Sequence, residues 1–588
     1  MSKFLSIAKI TAAAAVATFA SIAANAADRV SDFSLVDQEG RFFQLSRNSN
    51  QKAIVLLAYD DSSKNARRAV SELADIAEDF TDQKVTFAIV NVTSEADKDV
   101  IRKIANDRKI DIRILMDTSQ LVAEEIGLTR TAEAIIIDPV AKTVVYRGAI
   151  SKTVAKGSRS ERNAASYVAD ALTAMLAGQD IAKTQLASKG EVITFPMMTA
   201  HQDSLSYAKD IAPILEERCV TCHQEGGIAP FAMSSHQMIQ GWSPMIREVL
   251  ITKRMPPGQI GTEYSNQFHG VNQISVEETQ KLVHWIDSGA RNESSTDPLA
   301  EYKISPVKWG HGEPDMIVNI PPQTIPATGT VEYRNLILPL DLPEDKWVKA
   351  VEFVAGDTTV LHHIIAWAQA PDTGRGRGGA FGILNQGIGL GAYAPGNTIN
   401  TYPDGAGFPL AQGSGLILQM HYTSSGKETV DASEIGIHFW DEEPERAILG
   451  GSAADLEIAI APFEANHEMV ASKKFRKDAY LTMVGPHMHY RGKDANFKLV
   501  YPDGTEEEIL NVPNYQFNWQ KTYDFKEPKF LPAGTEMVFR ATFDNSAMNP
   551  YNPDPSAEIS WGEQTWQEMM FGFFRYVDAD AEEASDGE

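Results

Sequence analysis

Cysteine is almost missing from this chain. Among 588 residues there are two, Cys219 and Cys222. Both fall in one short motif, so no disulfide framework exists, and dithiol chemistry anywhere else is excluded. Long apolar runs are also lacking. Beyond the N-terminus no stretch approaches the roughly 20 residues needed to cross a bilayer, so no membrane span is expected. Basic charge is scarce too: 53 Lys and Arg stand against 79 Asp and Glu, a formal charge of -26. That balance argues against nucleic acid as a partner, because phosphate backbones reward basic surfaces. The acidic tail, 578–588, reads as disordered.

The length suits three or four domains, each with its own core. The first 26 residues read as an export signal. Lys3 and Lys9 form the positive end, Ile10 to Ala24 the short apolar run, and Ala24-Asn25-Ala26 a small-residue cleavage site. A mature, soluble protein starting near Ala27 and working in a periplasm or outside the cell is the expectation.

Residues 27–180 alternate apolar strands with helices. Ala53 to Tyr59 (AIVLLAY), Val85 to Val92 and Ala134 to Asp138 read as buried parallel strands, and Ala66 to Phe80 and Ala164 to Leu176 as helices. The run DFSLVDQEGRFFQLS, then AIVLLAYDDSSKN, TAEAIIID and YRGAI, resembles an α/β thioredoxin-like domain of the redoxin kind. The family's redox cysteines would fall around Asp61 to Lys64, where there are none, and its cis-proline position holds Ala132. A docking or scaffolding role is expected rather than catalysis. Residues 181–203 read as a linker.

Residues 204–295 carry Cys219-Val-Thr-Cys222-His223, a spacing that reads as covalent haem c attachment with His223 on the iron. One helix is expected from Asp210 into the motif. Another is expected after the capping box Ser275 to Glu278, with Leu282, Trp285 and Ile286 on one face and Gly289 as its stop. DIAPIL before the motif, GGIAPFAM after it and RMPP downstream resemble small α-helical bacterial cytochrome c domains. That resemblance implies Met255 as the sixth iron ligand. Met233, Met238 and Met245 are alternatives, as are His236, His269 and His284. A thioether opposite an imidazole suits an electron carrier.

From about residue 303 the composition turns β-rich. MIVNI (316–320), KAVEFVA (349–355), GLILQMHY (415–422) and EMVFRATF (536–543) read as short strands of two all-β jelly-roll or sandwich domains, 303–450 and 451–577. This half holds His362 and His363 in VLHHIIAW, His421 in LILQMHYTSSG, His487 and His489 in GPHMHYRG, and Met569 in TWQEMMFG, with Met570 beside it. Five imidazoles with a thioether form a soft ligand set that suits copper and needs no carboxylate. His487 and His489, two apart on a strand, leave the same face. His362 and His363 diverge on a regular strand and can share an ion only where the backbone bulges.

YRNLILPLDLPEDKWVKAVEFVAGDTTVLHH, LGAYAPGN, LILQMHYTSSG, GPHMHYRGK, FDNSAMNPYNPDP and WGEQTWQEMMFGF follow one another in an order that resembles the copper type II, ascorbate-dependent monooxygenases, the peptidylglycine α-hydroxylating and dopamine β-monooxygenase family, in its bacterial form. The resemblance implies one copper on His362, His363 and His421, which stores an electron. It implies a second, catalytic copper on His487, His489 and Met569, where O2 is used. It also implies a solvent-filled cleft between the two. His438 and His467 match nothing in the pattern. The chain departs from the family where peptide-amidating members have an arginine and a tyrosine for the substrate carboxylate: here stand Gly485 and Phe573. A peptide-glycine substrate is thereby disfavoured. The haem motif on the same chain points to a built-in electron donor, itself reduced by an external donor, in place of ascorbate. The alternative is a non-catalytic copper-binding, copper-delivery or electron-transfer protein. Neither the substrate, the physiological donor nor the oligomeric state is legible. The glycine-rich 374–396 is a candidate pocket loop.

Overall fold

The computed structural model describes residues 29–580 apart from 95, 157–164, 203, 304–307, 330 and 370–388. The export-signal reading of 1–26, the tail residues 581–588 and most of the 374–396 loop lie outside the described residues.

The N-terminal unit is built on one eight-stranded sheet with strand order β2-β1-β5-β4-β3-β6-β7-β8. Its strands are β1 (Ser34–Asp37), β2 (Phe42–Gln44), β3 (Ala53–Tyr59), β4 (Val85–Asn91), β5 (Ile114–Met116), β6 (Glu133–Asp138), β7 (Thr143–Ala149) and β8 (Gln185–Leu186). Every residue of β3 is buried, since helices cover one face and a second apolar cluster the other. β3 and β4 run parallel, but β6 lies antiparallel to β3 and corrects the sequence expectation. A continuous apolar run reports burial on both faces and carries no direction. Helix α1 (Lys64–Asp79) begins at Ser63, whose hydroxyl accepts from Ala66 N. Ala66, Ala69, Val70, Leu73 and Ile76, at helical spacing, form its buried face. α2 (Lys98–Arg108), α3 (Leu121–Glu125), α4 (Lys152–Lys156) and α5 (Tyr167–Leu176) complete the unit.

Residues 181–203, read as a linker, form a strap. It supplies β8, pairs across the rim through Thr131 N to Glu191 O (2.9 Å) and Ile193 N to Thr129 O (3.0 Å), and ends in α6 (Pro196–His201). Backbone pairing of this kind leaves no side-chain periodicity in the sequence.

Three longer helices follow: α7 (Ala212–Arg218), α8 (His236–Ile251) and α9 (Val276–Asp287). The capping box of Ser275 with Glu278 starts α9, and Gly289, at φ +101°, lies just past its end. α8 has no counterpart in the sequence reading because Pro244 sits inside it and masks the helical period. Tyr207, Leu282, Trp285 and Ile286 share one apolar cluster with Leu56, Ala88 and Ile135, so the helices complete a core of the N-terminal sheet.

The C-terminal half is a large β-rich region with several sheets. The first pair of sheets uses β9 (Met316–Asn319), β10 (Arg334–Pro339), β11 (Lys346–Val354), β12 (Leu361–Gln369), β13 (Gly389–Tyr393), β14 (Ala406–Leu410), β15 (Gly415–Tyr422) and β16 (Glu434–Phe439). Their orders are β10-β15-β12-β13 in one sheet, and β14-β11-β16-β9 with Arg446–Ala447 at its edge in the other. The second pair uses β17 (Leu449–Ala454), β18 (His467–Lys474), β19 (Ala479–His487), β20 (Gly492–Val500), β21 (Glu506–Val512), β22 (Tyr523–Leu531), β23 (Glu536–Phe543) and β24 (Phe571–Asp578), ordered β17-β24-β19-β22 and β18-β23-β20-β21. Each pair closes over its own core. Among the described residues no helix is long and apolar enough to cross a membrane.

The units are sewn together. Ile260, Tyr264 and Phe268 of the helical segment lie in the core of the second pair of sheets. Lys98 of α2 bonds Glu263 (2.6 Å) and Glu508 (2.8 Å), one carboxylate from each neighbouring unit. Removing Lys98 leaves the mostly buried Glu508 carboxylate without its cation, while Glu263 is exposed. Lys98→Met should therefore lower the unfolding free energy by roughly 2 kcal/mol and expose the 27–203 unit to early proteolysis. Unfolding curves and timed proteolysis read both, and an unchanged midpoint would remove the joint from the account.

Candidate metal centres between the sheets

His363 on β12 stands directly opposite His421 on β15, and the pairing of these strands shifts register between Leu361 and His363. That irregularity is the bulge two adjacent histidines need to turn toward one ion. Ring centroids lie 5.7 Å apart for His362 and His363, 5.1 Å for His362 and His421, and 4.8 Å for His363 and His421. One ring nitrogen from each lies within 4.8 Å of the others. All three residues are buried. Nδ1 of His362, both ring nitrogens of His363 and Nδ1 of His421 have no hydrogen-bond partner. Burying unpaired polar groups costs about 1–3 kcal/mol each, and a bound cation relieves that cost for lone pairs. The set thus fits a metal ion.

The second set forms where β19 ends. His487 is its last residue, and His489 lies past the strand, correcting the expectation that both sit on it. Their rings still meet at 5.3 Å. His487 Nδ1 and Gln520 Oε1 are 2.6 Å apart, and His489 Nδ1 and Gln567 O 3.2 Å. Those bonds occupy Nδ1 and leave Nε2 of each ring for a ligand. β24 pairs with His487 opposite Phe571, and Met569 lies two residues before the start of that strand. Met569 lines the cavity here, whereas Met570 is fully buried in the core.

Glu568, fully buried, accepts from the backbone N–H groups of His489 (2.8 Å) and Arg491 (2.7 Å) and so ties the histidine turn to the segment that carries Met569. Burial pushes its carboxyl up to about 8. Neither Glu568 nor Gln520 was singled out from the sequence. The only trace of Glu568 is its place beside Met569; Gln520 has none, as it comes from a loop more than 30 residues away.

A cavity of about 440 Å³ adjoins this set and is lined from both pairs of sheets. Ile365, Trp367 and Ile417 come from one side, and His487, His489, Met569 and Phe573 from the other. Gly485 and Phe573 face each other in register on that second wall. His438, by contrast, is buried on Glu352 (Nε2 to Oε1, 2.8 Å), and His467 lies on β18 opposite Phe543.

The Cys219, Cys222 and His223 motif closes a turn, with His223 N donating to Cys219 O (3.0 Å). Both thiols are free and half-buried. His223 Nδ1 and Phe231 O are 3.0 Å apart. Met255 follows α8; its N–H donates to Val249 O (3.2 Å). Of the alternatives, Met233 is buried, and Met238 and Met245 are exposed. His236 bonds Ala290 O (2.8 Å), His284 bonds both His201 and Glu124, and His269 N donates to Asp524 O (2.8 Å).

In the N-terminal domain, Asp61 to Lys64 hold no thiol. Ser63 bonds Thr131 and Glu191 of the strap, which closes the rim where the family's thiols would stand. Ala132 has left-handed φ, +58°.

Burial holds all five imidazoles neutral: it lowers His362 and His487 to about 4, His421 and His489 to about 3, and His363 well below its usual value. An unfolded imidazole titrates near 6.5. Between these values the unfolded chain binds more protons, so stability is complete above about pH 6.5 and is lost as pH falls toward 4. Metal-free protein should show a steep fall in unfolding midpoint from about pH 7 to about pH 4.5. His362→Leu should recover part of it, roughly 3 kcal/mol at full protonation. A flat profile would mean that the rings are solvated.

A model of the AhpC/TSA family matches residues 26–150. No curated protein matches the chain. Solved structures similar to it include a hypothetical protein, SMc02350, from Sinorhizobium meliloti 1021, 23% identical, covering 28% of this chain and 92% of that one at a TM-score of 0.26. An uncharacterized conserved protein from Geobacillus kaustophilus is 21% identical, with 28% and 90% covered and a TM-score of 0.26. Peroxidoxin BcpB from Mycobacterium tuberculosis is 22% identical, with 20% and 82% covered and a TM-score of 0.19. The N-terminal α/β domain of this chain is a thioredoxin-like redoxin domain, joined to a large β-rich region.

Proposed function

We propose that the chain is an exported dicopper monooxygenase that hydroxylates a C–H bond, or oxidises a heteroatom, of a small organic substrate with O2, fed with electrons through a covalently attached haem c. The observation that carries this reading is the pairing of two soft ligand sets across one seam. Three buried histidines with four unpartnered nitrogens lie on one side, and two histidines with a thioether lie beside a cavity on the other.

Copper suits both sets and, when bound, supplies one electron per ion and a centre for O2 reduction. His362, His363 and His421 would hold one ion in a dry pocket, where their neutral rings need shed no proton to bind. His487, His489 and Met569 would hold the other, with the thioether favouring Cu(I). Gln520 and the Gln567 carbonyl fix the His487 and His489 rings through Nδ1. Trp367, Ile365, Ile417 and Phe573 provide an apolar wall for substrate. With Gly485 and Phe573 facing each other on that wall, a peptide-glycine carboxylate finds neither arginine nor tyrosine at those two positions.

Haem c, held by thioether bonds to Cys219 and Cys222, would supply a one-electron carrier. His223 fits the iron because Phe231 O takes its Nδ1 and leaves Nε2 free. Met255 is proposed as the opposite ligand; His236 and His284 are engaged in hydrogen bonds of their own. The redoxin domain, without thiols, would act as a scaffold.

Protein matured in a haem-attaching periplasm should contain two coppers and one iron per chain by elemental mass spectrometry. Met569→His should keep its copper and lose substrate-coupled O2 consumption. Copper binding with no O2 consumption on any substrate would favour a copper-binding or electron-transfer role. Iron without copper, after copper is offered to the reduced protein, would end the enzyme reading.

A further inference from the structure

One aromatic side chain packs on both histidine sets. Phe517 begins the one-turn helix Phe517–Trp519. Its ring centroid lies 5.8 Å from that of His421, in the first set, and 5.9 Å from that of His489, in the second. The ring is buried, with Tyr490 at 4.8 Å and Tyr333 at 6.4 Å around it. Tyr333 in turn packs on His421 at 4.8 Å and on His363 at 5.9 Å. Solvent is thereby excluded along this line, although the 440 Å³ cavity opens beside it.

The residues that follow extend the contact in order. The Trp519 ring lies 5.6 Å from His362. Gln520 Oε1 meets His487 Nδ1 at 2.6 Å. The Lys521 stem runs against Gly258, where a Cβ would meet its Cδ at 2.9 Å, and Gly258 closes the loop that carries Met255. The Lys521 ammonium also acts on the Cys222 thiol. Four of the five residues 517–521 therefore adjoin the two histidine sets or the segment bearing Cys219, Cys222 and His223.

Electrons tunnel faster through packed, bonded matter than across the same length of water. A phenyl ring between two ligating imidazoles shortens the through-space part of the path to van der Waals contacts.

We propose that Phe517 is the electron bridge between the two copper-binding sets, and that Gln520 and Lys521 join the second set to the haem-bearing segment. This rests on the copper and haem reading above. In each step one electron leaves ferrous haem, reduces one Cu(II) to Cu(I) and then exchanges between the sets, with no bond made or broken and no proton moved. The first electron would stay on the second set, because Gln520 leads to His487 and the thioether there favours Cu(I), and a second electron would be shared through Phe517 with the first set.

The test uses the full-length holoprotein, anaerobic, with both coppers oxidised and the haem reduced by a flash-generated flavin semiquinone. Haem absorbance reports the first transfer, and rapid-freeze EPR reports which copper signal is lost and when. Phe517→Leu and Phe517→Met remove the ring with different packing, and Phe517→Tyr keeps it. Copper and iron contents are measured on every sample. The expected result is a transfer between the sets at least tenfold slower in either ring-less variant and unchanged in Phe517→Tyr, with EPR parameters and haem decay as in the parent. Parent-like transfer in a ring-less variant holding two coppers and one iron would overturn the bridge while leaving the copper reading intact. Copper loss from both ring-less variants but not Phe517→Tyr would make Phe517 a packing residue and overturn it too. Parent protein without copper would instead sink the reading on which the bridge rests.

Discussion

Five imidazoles kept neutral by burial are the constraint around which the C-terminal half is arranged. A buried imidazole must have a partner for each nitrogen or bear the cost of leaving it bare. In the second set, Gln520 and the Gln567 carbonyl take Nδ1, and Glu568 holds the backbone of His489. In the first set no protein group does so. That asymmetry separates a centre supported by hydrogen bonds and opening on a cavity from one that is buried and supported by strand register alone. A bulge at His362, opposite a regular β15, is the small backbone irregularity that lets three rings converge.

Holding the seam closed falls to units that contribute no ligand. The helical segment places Ile260, Tyr264 and Phe268 in the core of the second pair of sheets and shares its other face with the redoxin sheet. Lys98 ties the redoxin unit to both neighbours. The rim of the redoxin domain is closed by its own strap through Ser63, Thr131 and Glu191. Cys222 lies within electrostatic reach of both Lys521 of the second pair of sheets and Tyr393 of the first, which sets the Cys219 to His223 turn beside the same seam.

Much of the fold was legible locally. AIVLLAY announces a strand buried on both faces, the Ser275 and Glu278 box announces α9, and GLILQMHY is a strand end to end. The failures share a cause. The direction of β6, the strap at 181–203 and α8 depend on partners remote in sequence or on a proline tolerated by packing, and none leaves a periodic trace. The candidate ligands were legible because histidine and methionine carry their chemistry in their side chains. Phe517, Gln520 and Glu568 were not, because a phenylalanine, a glutamine and a glutamate are ordinary until something is placed beside them.

The sequence by itself determined the inventory: two cysteines in one motif, His362, His363, His421, His487, His489 and Met569 among the residues of the β-rich half, no thiol in the redoxin domain, and an acidic chain without a long apolar run. Tertiary structure alone decided that His362 sits on a bulge, that Met569 and not Met570 reaches the cavity, and that a loop at 517–521 touches histidines of both sets. The physical reason is that ligand chemistry is a property of a side chain. Register, burial and convergence belong to pairs of segments, and only the closing of one sheet upon another sets them.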